Sequence, residues 1–157
     1  VRIARTIGDA EALANALVKH AFCFQDQPER FAEGVAMLDE AIAVAGGDDS
    51  TGDLRAMVFN ATANLYRSVQ LHDRSYEYLG KALALWTELD HRQDMFNMNH
   101  TMVAEAMRLG REDDARRHVQ ALFELERTSP GFPDFAFFAH YNDGLVHHVG
   151  RRDAEAV

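Results

Sequence analysis

Small residues recur along the chain at Gly34, Ser75, Ala115 and Ala156, separated by 41, 40 and 41 positions. The same register holds at neighbouring sites. Four residues on stand Leu38, Leu79 and Val119; seven on, Ala41, Ala82 and Leu122; eight on, Ile42, Leu83 and Phe123. A period of this length, small and then apolar at helical spacing, predicts helices stacked in pairs. The small residue lets two helices approach closely, and the apolar ones seal the contact on either side. The expected fold is therefore an all-α α-solenoid of antiparallel helix pairs.

Helical spacing and breakers place seven helices in that frame. The first is expected from about Asp9 to Phe24, and the second opens at Pro28 and stops at Gly46-Gly47. A loop, Asp48 to Gly52, precedes a third helix carrying Leu54, Val58, Ala61, Leu65 and Val69. The fourth follows Asp73, read as its N-cap, and carries Tyr76, Leu79, Leu83 and Trp86. The fifth covers about Arg92 to Leu109 and is closed by Gly110; the sixth covers about Glu112 to Arg127. The seventh starts near Pro133 and runs to Val149, with Gly150 as its stop and a truncated eighth beginning at Ala154. No stretch alternates apolar and polar residues over strand length. Connections are short and no Pro-, Gly- or Ser-rich linker intervenes, so residues 1–157 are expected to form one domain.

Composition narrows the function. With 47% hydrophobic residues the chain can bury a core. A formal net charge of −9 repels phosphate backbones and argues against direct nucleic-acid binding. No run approaches the roughly 18 apolar residues of a membrane span. The lone Cys23 and the missing secretory stretch fit a reducing, cytoplasmic location. The chain opens without an initiator Met and ends as a helix begins, which reads as the middle portion of a longer protein.

The repeats resemble tetratricopeptide repeats, about 3.5 of them, which implies a right-handed solenoid. Met102 to Ala115 matches the family's helix, turn Gly110 and small residue five positions later. Tyr66, Ser75 and the Ala82-Leu83 pair fall at further motif positions, while Gln70 replaces a turn glycine, Pro28 disrupts the first turn and Leu122 replaces an alanine. The phrases Ile3 to Ala14 and Leu85 to Gln93 resemble repeats of large bacterial signalling and transcriptional regulators. That resemblance implies a non-catalytic, protein- or peptide-binding segment without a cofactor. It also implies a concave groove lined by the first helix of each pair. Lys19 and Cys23 fall there in repeat one; Asn60, Asn64 and Arg67 in repeat two; Asn97, His100, Met107 and Arg108 in repeat three; Phe138, Tyr141 and His148 in repeat four. Lys19, Asn60, His100 and Tyr141 share one motif position. Amides and guanidinium groups there suit a peptide backbone or a carboxylate. The pattern partly resembles the carboxylate-gripping groove of chaperone-binding relatives, although Cys23 stands where that groove has an Asn.

Other constellations weigh less. His140 and His147 lie about 10 Å apart along a helix rising 1.5 Å per residue, too far to share one ion, and Asp143 with His147 supplies only two ligands. The family register makes both histidines packed residues. Met95, Met98 and Met102 form a helical stripe read as core. Phe132, Phe135, Phe137, Phe138 and Tyr141 are denser than one helix face can hide, which raises self-association through the C-terminal end. An alternative is a small-molecule sensor that closes the groove, or this Met- and Phe-rich end, on an apolar effector.

Overall fold

A computed structural model describes residues 1, 9–25, 27–47, 51–129, 131–132 and 134–155, with side chains up to residue 148. The loop at Asp48, the helix start at Pro133 and the fourth small residue, Ala156, lie outside the described residues. Among those described there are seven α-helices and no strand. They are α1 (Ala10–Phe22), α2 (Phe31–Ala45), α3 (Gly52–Ser68), α4 (His72–Glu88), α5 (Arg92–Arg108), α6 (Glu112–Thr128) and α7 (Asp134–Glu155), with a 3-10 turn, Pro28–Arg30, before α2.

The middle four helices keep a strict metre. Each of α3 to α6 is 17 residues long, and their first residues are 52, 72, 92 and 112, a step of 20. Three residues turn the chain each time, and the central one is left-handed: Gln70 (φ 61°), Asp90 (φ 55°) and Gly110 (φ 67°). The Leu71 amide then donates to the Tyr66 carbonyl (3.0 Å), and the Arg111 amide to the Ala106 carbonyl (2.8 Å). These six-to-one bonds satisfy carbonyls that a helix end leaves open. Gln70 therefore adopts the conformation a glycine would take most cheaply.

Side chains cap two helices, while the cap expected at a third is absent. Asp9 accepts from the Ala12 amide (3.0 Å) and Thr51 from the Leu54 amide (3.2 Å). Asp73 is not a cap: it sits in the first turn of α4, whose N-cap is Leu71, and its charge there favours the helix N-terminus. The helix end expected at Gly150 is also corrected. Backbone helix continues through it to Glu155, so no break separates a truncated eighth helix from the seventh. Glycine inside a helix costs only about 1 kcal/mol, and no proline or turn residue beside it adds to that cost.

The chain divides into two compact units, Val1–Leu89 and Asp90–Val157. In the first, α1 packs on α2, α2 on α3 and α3 on α4, and α1 also touches α3. Leu17, Leu38, Val58 and Leu65 are among its most deeply buried side chains. In the second, α5 packs on α6, α6 on α7, and α7 returns to α5. Phe135, Phe96, Leu122 and Val103 are buried there, as are Met98 and Met102, while Met95 is half-buried.

Burial repeats with the sequence. Gly34, Ser75 and Ala115 are all buried, as are Leu38, Leu79 and Val119, and Ala41, Ala82 and Leu122; Ile42, Leu83 and Phe123 are all half-buried. A Cβ placed on Gly34 would stand 3.0 Å from Leu65 Cδ2 and 3.6 Å from the Ala21 carbonyl oxygen. Here α2 meets two other helices so closely that even a Cβ would need the Leu65 methyl to give way.

Candidate functional site

The polar residues singled out from the sequence separate into two groups, one per unit. In the first, Asn60, Asn64 and Arg67 lie one turn apart on α3 and form a row. Arg67 donates from a terminal guanidinium nitrogen to Asn64 Oδ1 (2.7 Å), and Asn64 Nδ2 makes a long 3.5 Å contact to Asn60 Oδ1. Both asparagines are half-buried and Arg67 is exposed, so the row is held in place yet reachable. Lys19 is exposed near the end of α1, where its carbonyl accepts from the Cys23 thiol (3.6 Å). Its side chain is not hydrogen-bonded to the α3 row.

In the second unit the groups have structural attachments. His100 Nδ1 lies 2.7 Å from Asn142 Nδ2, and Asn142 also donates to the Phe138 carbonyl (2.6 Å). This ties α5 to α7 and accounts for Asn142 being buried. One residue earlier, Asn99 Oδ1 lies 2.8 Å from His118 Nδ1 and ties α5 to α6. Arg108 is paired at 2.8 Å with Glu105, whose side chain is fully buried. Its first role is thus to compensate a buried carboxylate, and only its outer half faces solvent. Tyr141 is half exposed and stacks beside Phe137 with ring centres 6.3 Å apart; His148 is exposed.

His140 and His147 are not buried, contrary to their place in the repeat register. His140 is exposed with its ring edge-on to Phe123 at 5.1 Å, and His147 is exposed and 3.4 Å from Asp143. Among the described residues α7 packs only on α6 and α5, so nothing covers its far side. Among the described residues, too, no three His, Cys, Asp or Glu side chains converge to hold a metal ion, and no helix is long and apolar enough to cross a membrane.

Burial lowers the pKa of both His100 and His118 below 6.5; the Asn142 contact partly offsets this for His100, and Asp114 does so for His118. The neutral rings are favoured in the fold, so below pH 6.5 the unfolded chain binds more protons. Stability is full above that value and falls as pH drops through it. The urea midpoint is expected to fall between pH 7.5 and 5.5, and the slope to flatten in a His100→Gln/His118→Gln double variant.

Sequence reasoning missed Glu105 and Asn142, polar residues on buried faces. It also did not assemble the hollow of about 130 Å³ where the start of α7 meets α5. Gln93 and Asn97 form one wall, joined by a 3.2 Å hydrogen bond, and Phe132, Phe135, Phe138 and Asp134 form the other. The aromatic density of 132–138 was its visible trace. Comparison with protein-family models and with curated proteins finds no match for this chain.

Proposed function

We propose that the helix pairs are tetratricopeptide-type repeats of a right-handed solenoid, and that the chain is a non-catalytic, protein- or peptide-binding segment of a larger, cytoplasmic bacterial signalling protein. The recurrence of burial class at intervals of 40 and 41 residues supports the repeat reading. The observation that carries the binding role is the α3 row. Two amides and a guanidinium are aligned on the first helix of a pair, and such groups can both donate to and accept from a peptide backbone.

The test is a peptide array followed by titration of its best ligand. Replacing Asn60, Asn64 and Arg67 together by alanine is expected to weaken that ligand about tenfold or more, with the circular dichroism spectrum unchanged. Undiminished affinity in the triple variant would contradict the role. A small-molecule sensor is the second reading, and the hollow between α5 and α7 is what favours it. In that case a ligand raises the melting temperature and the α3 substitutions leave its affinity alone.

A further inference from the structure

Two hollows open among the described residues of the second unit. The larger, about 200 Å³, lies between α6 and α7 beside Arg116, Phe123, Asp143 and His147. Its charged walls are already paired, Arg116 with Glu112 and Asp143 with His147. The hollow between α5 and α7 differs, because its charge has no cationic partner among the described residues.

Phe135, almost fully buried, is stacked between Phe96 (ring centres 3.8 Å, planes 6° apart) and Phe132 (4.7 Å, 9°). Phe132 and Phe138 are each more than a third exposed at the opening. Aromatic faces carry negative potential and attract cations. Asp134 adds a full negative charge at the same place. It is exposed and no cationic side chain among the described residues pairs with it. An anion would meet repulsion from both the carboxylate and the ring faces. A purely apolar ligand would leave the carboxylate without a partner, which is costly once water is displaced.

A guanidinium meets every feature at once. It is flat and weakly hydrated, lies against a ring, and presents N–H groups in a fork that a carboxylate and an amide carbonyl accept. The size is suitable, since cavities of roughly 150 Å³ admit a benzene-sized group. The chain shows the same pairing internally, with the Arg30 guanidinium carbon 4.1 Å from the centre of the Phe24 ring. The net charge of −9 draws a basic partner rather than an acidic one. We infer that the hollow between α5 and α7 is a subsite for an arginine side chain of a peptide partner, with Phe132 and Phe138 against the guanidinium plane and Asp134 at its edge. The inference rests on the peptide-binding reading and reverses the charge expected of a carboxylate-gripping groove.

The test is a titration followed by NMR of the aromatic rings and backbone amides, at low salt, with N-acetyl-arginine N-methylamide. Its neutral isostere, the citrulline compound, serves as control. Saturable shifts are expected at Phe132, Phe135, Phe138 and Asp134, with millimolar affinity for arginine and at least about fivefold weaker binding of citrulline. Asp134→Asn is expected to weaken arginine binding by about threefold to tenfold and to remove most of its salt dependence. Phe138→Leu, which keeps the apolar contact but not the ring, should weaken it similarly with the melting temperature preserved. Equal binding of the two compounds, no saturable shift at these rings, or an unaffected Asp134→Asn would each overturn the assignment. The two readings fail separately. Array peptides that bind through the α3 row while the arginine compound leaves the rings unmoved remove only the subsite. Saturable arginine binding with no peptide captured removes the peptide-binding reading instead.

Discussion

Phe135→Ala is expected to lower the unfolding free energy by about 3–5 kcal/mol, the range for deleting a buried phenyl ring. Phe135 is 1% exposed and lies between two other rings, so its removal leaves a void walled by Phe96 and Phe132 with nothing to refill it. Part of the cost is the forgone burial of an apolar ring, and part is the dispersion attraction that both of its faces now supply. Domains of this size have total stabilities of about 5–15 kcal/mol, so the substitution brings the second unit close to unfolding at ordinary temperature. Phe135→Leu refills most of the volume and should cost far less. Urea denaturation of the two variants checks both statements; equal losses would contradict the cavity account and show that ring stacking and shape, rather than volume, carry the cost.

Gly34 answers in the opposite sense, by overpacking. Gly34→Leu is expected to destabilise by about 2–3 kcal/mol, whereas Gly34→Ala should be near neutral. The alanine Cβ would meet Leu65 Cδ2 at 3.0 Å, and that methyl is the movable end of a side chain. The small shift is offset by the helix preference of alanine over glycine. A leucine must also clear the Ala21 carbonyl oxygen on the other side, and backbone cannot yield so easily. Denaturant midpoints measured with unchanged m-values would confirm the contrast. Equal effects of alanine and leucine would mean that the helices do not meet closely there.

Much of the fold was legible because its signals are local. Apolar spacing marked every helix, and the small-residue register marked the close approach at Gly34. The departures depend on more distant context. Asp73 resembles a cap by type, but after the left-handed turn at Gln70 the N-cap is Leu71, two residues earlier. Gly150 resembles a stop, yet a glycine ends a helix only when a turn follows. The candidate site was less legible for the same reason. Asn60, Asn64 and Arg67 are singled out by the groove positions that the tetratricopeptide resemblance implies, and helical spacing then puts them in one row. The attachment of His100 to Asn142 and of Arg108 to buried Glu105 does not follow from spacing, because it depends on which helix faces solvent. His140 and His147 show the converse: repeat register predicted burial, and exposure followed because no further helix among those described covers α7.

The most direct measurement is a lysine scan of α4 and α6, which belong to different units, read by melting temperature. Lysine at Ser75, Leu79 or Ala82, and at the matching Ala115, Val119 or Leu122, is expected to lower it by roughly 10 °C or more, because each site is buried. Lysine at the exposed Ala84 and Gln120 should shift it by no more than about 2 °C. The same ranking in both helices is the predicted result. Tolerance at one member of a matched pair and collapse at the other would contradict a common packing register.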